Sequence, residues 1–186
     1  GASISVAYDS MNRPVRQVNA LGGVTEIEYD LLGRITRVTD PLGAETTYAY
    51  DKNGNLLTVT DALGGVISYA YDALSRVISE TAPDGGVTRY AYDSVGNLVS
   101  VTDALGSVTR YQYDENGTLA AMTDALGQTV SLEYNKNGSA TTAIQKNGGV
   151  LATGYDKAGR VVFETDANGH ATKYGYNRNG LITKVT

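Results

Sequence analysis

The side chains able to do chemistry in this chain are phenols and carboxylates, and they recur in strict order. A Tyr-Asp or Tyr-Asn pair returns every 21 residues: Tyr8-Asp9, Tyr29-Asp30, Tyr50-Asp51, Tyr71-Asp72, Tyr92-Asp93, Tyr113-Asp114, Tyr134-Asn135, Tyr155-Asp156 and Tyr176-Asn177. Oxygens spaced so regularly raise the question of calcium, and rings so spaced raise that of a sugar-stacking platform. Calcium requires six to eight oxygens at about 2.3–2.6 Å. Equivalent Asp residues of successive repeats stand two strands apart, about 9.6 Å, and the second Asp within a repeat lies a strand length away, about 20 Å. Neither spacing makes a cage, and the Gly-Gly-x-Gly-x-Asp calcium repeat is absent. Capping of turns is the role expected of the aspartates. For the tyrosines the expected role is a cross-strand ladder, in which each ring pair contributes roughly 0.2–1 kcal/mol.

The remaining candidates are few. His170 is the only histidine and follows a turn glycine, in a slot otherwise filled by Gly23, Ala44, Gly65, Gly86, Ser107, Gln128 and Gly149, so exposure is expected. There is no cysteine, which removes disulfides and thiolate metal sites, and no nucleophile–base triad can be assembled. Glu80 and Glu164 occupy the same slot four repeats apart, roughly 38 Å along a flat sheet, whereas paired carboxylates for glycoside hydrolysis lie within about 10 Å. No catalytic, cofactor or metal residue is assigned, and the chain is read as non-enzymatic.

The elements that hold these groups follow from the period itself. A fixed 21-residue repeat marks a supersecondary unit stacked on copies of itself. Counting from each Tyr as slot 0, slot 4 is Gly33, Gly54, Gly96, Gly117, Gly138, Gly159 and Gly180, with Asn12 and Ser75 as exceptions. Slot 11 is Asp40, Asp61, Asp103, Asp124 and Asp166, and slot 14 is Gly22, Gly43, Gly64, Gly85, Gly106, Gly127, Gly148 and Gly169. Asp followed three residues later by Gly is the preference of a type I turn whose exit needs positive φ. Between turns lie two runs of about six residues, a normal strand length. The second has the form V-T-x-Y-A-Y and contributes Tyr48 and Tyr50, Tyr69 and Tyr71, Tyr90 and Tyr92, and Tyr111 and Tyr113. The first opens on an aliphatic at slot 6 (Ile35, Leu56, Val77, Leu98, Leu119, Val161, Ile182). β-Branched and aromatic residues dominate and no helical period is present.

Each repeat is therefore predicted to be a β-hairpin, and residues 1–186 a single all-β array of about eight repeats: an antiparallel meander of roughly seventeen strands. A β-solenoid with 21-residue rungs is the alternative architecture. Register stays open, because a one-residue change in how the slot 11–14 turn closes swaps which face of the first strand joins the tyrosines. An open sheet of that width, about 80 Å, is expected to curl with the aromatic face inside. Unpaired terminal strands would invite self-association.

Composition narrows the function classes further. The formal net charge is −5 and the sequence pI is 4.8, with no Lys/Arg cluster, which argues against nucleic acid as a partner. No apolar run is long enough for a membrane span and no signal peptide is recognisable. Gly1-Ala2-Ser3 has the look of a cloning remnant. Thr186 stops one residue short of a slot that is usually Asp, so the array is expected to belong to a longer protein.

The consensus Y-D-x-x-G-[RN]-L-x-x-V-T-D-A-L-G-x-x-T-x-Y-x-Y resembles that of the Rhs/YD-repeat family. The run Asp30-Leu31-Leu32-Gly33-Arg34-Ile35, then Asp40-Pro41-Leu42-Gly43, then Tyr48-Ala49-Tyr50-Asp51 carries the likeness, which extends over essentially the whole chain. The 134–154 copy is weaker, with Asn135, Ala140, Gln145 and Thr153 at slots usually Asp, aliphatic, Asp and Tyr. The family includes bacterial Rhs and polymorphic toxins, the C components of insecticidal toxin complexes, and teneurins. The resemblance implies a spiralling β-sheet closed into a hollow shell, which in the toxins encloses a C-terminal toxic domain. Nothing here matches the family's autoproteolytic aspartates or its C-terminal core motif.

Two functions from different classes follow. The first is a structural segment of an encapsulating shell in a secreted or cell-surface protein of bacterial origin, with flanking repeats and an enclosed toxin domain as its partners. The second is an extracellular module that binds glycans or another cell-surface protein.

Overall fold

The computed structural model describes residues 4–145 and 147–186, so Gly1-Ala2-Ser3 lies outside the described residues. The chain is all-β, and among the described residues every regular element is a strand. It divides into two compact units, Gly1–Tyr90 with Asp103–Leu105, and Ala91–Thr102 with Gly106–Thr186.

The first unit is a meander of β1 (Ser5–Tyr8), β2 (Pro14–Val18), β3 (Val24–Tyr29), β4 (Ile35–Thr39), β5 (Glu45–Tyr50), β6 (Leu56–Thr60), β7 (Val66–Tyr71), β8 (Val77–Thr81) and most of β9 (Val87–Tyr92). The second holds β10 (Leu98–Thr102), β11 (Val108–Tyr113), β12 (Leu119–Thr123), β13 (Thr129–Tyr134), β14 (Ala140–Ile144), β15 (Val150–Tyr155), β16 (Val161–Thr165), β17 (Ala171–Tyr176) and β18 (Ile182–Val185). Among the described residues the expected seventeen strands are eighteen, because a short strand forms at each end. Within each unit, neighbouring strands pair antiparallel. That excludes the solenoid, whose rungs would pair in parallel.

The turns at the two ends of a repeat share one geometry. At the Tyr-Asp end, the Asp30 N–H donates to the Arg34 carbonyl at 2.9 Å and the Gly33 N–H to the Asp30 carbonyl at 3.0 Å. At the other end, Asp40 N–H donates to Ala44 and Gly43 N–H to Asp40 at 2.9 and 3.0 Å. Both are three-residue hairpin loops, a type I turn followed by a left-handed residue. Gly33 and Gly43 both have φ of 82°. Asn12 and Ser75, the two departures from glycine at this slot, are held at φ 60° all the same.

The two ends nevertheless differ, and the difference settles the register. In β4–β5 the pairs run evenly, Arg37 with Thr47, Val38 with Thr46 and Thr39 with Glu45. In β3–β4, Glu28 faces Arg37 but Tyr29 faces Ile35, so Thr36 is an extra residue in a β-bulge. The same shift recurs at the Tyr-Asp end of other hairpins within each unit, as between Ala49 and Tyr50, Ala70 and Tyr71, and Gln112 and Tyr113. Strict alternation would send slots 6 and 9, three residues apart, to opposite faces. The bulge puts both on the tyrosine face. Ile35 and Val38 therefore stand beside Tyr29 and Ile27 on one face.

The opposite face is small and polar, with Thr39, Thr47, Thr58, Ser68 and Ser79 in the first unit. Arg37 there makes ion pairs with Glu28 and Glu45 across its two neighbouring strands. Each sheet is a single layer. Among the described residues only Ala121, at 7% exposure, counts as buried.

Candidate functional site

The Tyr-Asp pair stands where a strand enters its turn, and where Arg follows four residues after the Asp, as in Asp30–Arg34–Tyr50, three side chains fasten the turn to the next. Asp30 leads its turn because a short carboxylate can bend back to the backbone it has just left. Its Oδ1 accepts from the Leu32 N–H at 2.9 Å and the Arg34 N–H at 3.0 Å. Its Oδ2 takes the Arg34 guanidinium, at 2.7 Å to Nε and 2.7 Å to Nη2. The Arg34 Nη1 reaches into the next repeat and donates to the Asp51 carbonyl at 3.2 Å. The guanidinium lies over the Tyr50 ring, 4.5 Å from its centroid, a favourable placement of a cation on an aromatic face.

Tyr50 closes the circuit. The β4–β5 ladder stops at Arg37–Thr47, leaving the Ile35 carbonyl beyond it, and the Tyr50 hydroxyl donates to that carbonyl at 2.9 Å. Tyr50 itself pairs with Leu56 on the other side, so one residue ties β4, β5 and β6 together. The arrangement repeats as Asp9–Arg13–Tyr29, with the phenol on Pro14 at 2.9 Å, and as Asp156–Arg160–Tyr176, with the phenol on Val161 at 2.7 Å. Tyr71, Tyr113 and Tyr155 make the same phenol bond to Leu56, Leu98 and Ala140.

Slot 5 is Arg or Asn in six copies, and Thr118, Ser139 and Leu181 in the others. The Asn55 and Asn97 amides still donate to Asp51 and Asp93 Oδ2, at 2.9 and 3.0 Å. They preserve the carboxylate bond but cannot reach the next ring. This residue and the phenol bond were missed from sequence; Arg or Asn at slot 5 in six copies, two donors of different length four residues after an Asp, was the available signal.

These carboxylates are held in their charged form. The backbone N–H of Arg34 does most to hold Asp30 below the usual carboxylate range; partial desolvation opposes it, and the Arg34 guanidinium and the Leu32 N–H tip the balance further down. For Asp156 the Arg160 guanidinium leads and the Arg160 N–H adds to it. A carboxylate whose oxygens are committed to fixed donors has little left to offer a metal or a proton-transfer step.

The slot-11 aspartates cap more simply. Asp40 Oδ1 accepts from Leu42 and Ala44 N–H at 2.8 and 2.9 Å, and Asp61 and Asp124 do the same. Where Ala82 stands in that slot, Asp84 caps Gly86 instead at 2.9 Å. The ladder tyrosines Tyr48 and Tyr69 face Val59 and Glu80 in the first unit, and Tyr111 faces Met122 in the second. Glu80 and Glu164 belong to different units. His170 is exposed, as its slot implies, with Nδ1 2.9 Å from Asp166 Oδ2. Glu164 Oε2 accepts from the Tyr174 hydroxyl at 2.8 Å.

No curated protein is similar enough to match the chain. Among solved structures the chain superimposes on TcdB2-TccC3 with a TM-score of 0.81 at 17% identity, over 98% of its own length and 11% of that chain. It superimposes on TcdB2-TccC3-Cdc42 with a TM-score of 0.64, and on the Photorhabdus luminescens Tc holotoxin pore with 0.63. Each is 17% identical over 98% of this chain and 12% of the other. At that identity the likeness is one of fold, and the chain spans about a tenth of those proteins. The RHS Repeat family model matches at residues 29–66, 50–87, 71–98, 92–129, 113–151 and 155–186. With its 21-residue beat and its Asp–Arg–Tyr joints, the chain belongs to the RHS repeat family.

Proposed function

We propose that the chain is a stretch of wall in a hollow β-shell, one that encloses a C-terminal toxin domain in a secreted or cell-surface bacterial protein. The observation that carries this reading is the joint itself. The turn cap and its phenol bond recur down the array, while Asp oxygens that could do chemistry are spent on fastening. A single-layer sheet also suits a wall. Its backbone groups pair along the ladder, leaving no seam between strands, and its two faces differ in polarity. The tyrosine face is assigned to the lumen and the Thr/Ser face to the outside. The fold shared with TcdB2-TccC3 supports a structural repeat role, and enclosure of a toxin is the further step.

Electron microscopy of the full-length parent protein tests it. A closed shell with density inside is the expected image; a solid or extended array with no lumen would refute the proposal. Tyrosine nitration tests the sidedness. Tyr48 and Tyr69 should react in the isolated chain and be protected in the parent, and equal reactivity in both would place the aromatic face outside.

A further inference from the structure

Charge is divided unevenly along the chain. Residues 1–133 hold seventeen Asp/Glu and eight Lys/Arg, whereas residues 134–186 hold three and seven. Part of this excess of cations gathers on one rim of the second unit. Lys136, Lys157 and Arg178 directly follow the Tyr-Asn or Tyr-Asp pair in three successive hairpins, β13–β14, β15–β16 and β17–β18. They are 21 residues apart in sequence, but the meander lines them up on turn tips two strands apart, about 9.6 Å. All three are exposed, and among the described residues none has an ion-pair partner. Their turns supply no counter-charge. Asn135 and Asn177 cap with a neutral amide, and the Asp156 carboxylate is already neutralised by Arg160 at 2.7 Å.

A complementary row lies on the slot 11–14 rim of the first unit. Asp40 and Asp61 lead successive turns there, and Asp84 stands in the next. Each caps its turn through Oδ1, and among the described residues no Lys, Arg or His pairs with any of them. Beside these carboxylates the tips present Leu42 and Leu63, 93% and 97% exposed. The turn itself does not need those leucines, since the Asp makes the cap and the glycine the left-handed exit. Both rows have the same spacing, because the repeat sets it. A lysine or arginine can lay its methylenes on a leucine while its head meets a carboxylate. We propose that the basic rim of one chain docks on the acidic, leucine-tipped rim of a second copy. The two patches differ, so the contact is head to tail and propagates. It uses turn tips rather than the terminal strands, and it does not depend on the wall enclosing anything.

Sedimentation velocity of the isolated chain is the test. At about 20 mM salt the chain should associate as its concentration rises, and at about 300 mM the association should weaken at least tenfold. Lys136→Glu, Lys157→Glu and Arg178→Glu together copy Glu115 at the same turn position and should leave a monomer. Asp40→Asn, Asp61→Asn and Asp84→Asn together should do the same. They copy Asn19 and Asn147, which make the same backbone bonds, so the strand signal in circular dichroism should persist in both variants. The Asp set lowers the net negative charge, so overall repulsion cannot account for its loss of association. Mixed together, the two variants should form a one-to-one dimer that grows no further, because each retains one half of the contact. The proposal is overturned by a strict monomer at low salt, by association that ignores salt or survives either set of changes, or by no dimer in the mixture. Capture of an otherwise monomeric chain by phosphatidylserine vesicles, lost with the three Glu substitutions, would overturn it in favour of a membrane surface.

Discussion

The Tyr50 hydroxyl donates to the Ile35 carbonyl at 2.9 Å, and Ile35 is the first residue of β4, beyond the point where the β4–β5 ladder ends. The bulge that brings Ile35 to the tyrosine face also takes its carbonyl out of the ladder, and the phenol supplies the lost bond. Tyr50→Phe removes only that donor. A loss of about 1 kcal/mol is expected, measured by urea denaturation, while Tyr48→Phe, whose ring belongs to the ladder, should cost less. Equal effects at the two positions would show that the phenol bond contributes nothing particular.

Arg34 makes three separable contacts, to Asp30, to the Asp51 carbonyl and to the Tyr50 ring. Arg34→Asn copies Asn55, keeping the carboxylate bond and losing the stack, which is worth about 0.5–1 kcal/mol at a partly exposed site. Arg34→Ala should be the more damaging change, and Arg34→Asn intermediate. If Arg34→Asn proved as destabilising as Arg34→Ala in thermal melts, the carboxylate bond would be irrelevant.

Asp9, Asp30, Asp72 and Asp156 are all held below the ordinary carboxylate range by donors from the residue four positions on. A carboxylate depressed in the folded state stabilises the fold above its unfolded value, about pH 3.9. That contribution is lost as pH falls through the folded value. Stability should therefore be flat from neutral pH down to about pH 5 and fall below pH 4. Asp30→Asn should fold, since Asn135 and Asn177 make the same backbone bonds, and should flatten part of the acid loss. An unchanged midpoint between pH 6 and pH 3 in the parent chain would contradict this.

Ser75 sits at φ 60° in a slot that is otherwise Gly or Asn. A left-handed backbone costs a side-chain-bearing residue about 1–2 kcal/mol. Ser75→Gly should recover about 1 kcal/mol of this, less what is lost with the Asn55 contact to its hydroxyl at 3.1 Å. The measurement is the shift in thermal midpoint, and a decrease would show that the hydroxyl contact outweighs the strain.

Turns and strands were legible in the sequence because Gly33, Gly43 and their equivalents mark positive φ and the aspartates before them mark the cap. Register was not. Ile35 and Val38, three residues apart, contradict a period of two, and only the bulged Thr36 makes both face the tyrosines. The aspartates were readable as caps from their spacing to glycine. The contacts of Arg34 to Tyr50 and of Tyr50 to Ile35 join residues 15 or 16 positions apart, and no local pattern fixes which strands meet at that distance. Thr153 was visible as a departure from Tyr, but its pairing with Glu164 required the register.

Among the described residues strand contacts run between consecutive strands only, and the Asp30–Arg34–Tyr50 joint spans no more than one repeat boundary. Inserting or deleting a whole 21-residue unit therefore leaves each surviving joint with all its partners. Inserting a single residue between Arg34 and Tyr50 would break the stack, the phenol bond and the face assignment at once. The array can grow or shrink by gene duplication and unequal crossing-over in whole repeats, while point insertions within a strand are purged. Its length is free to drift over generations, and its period is not.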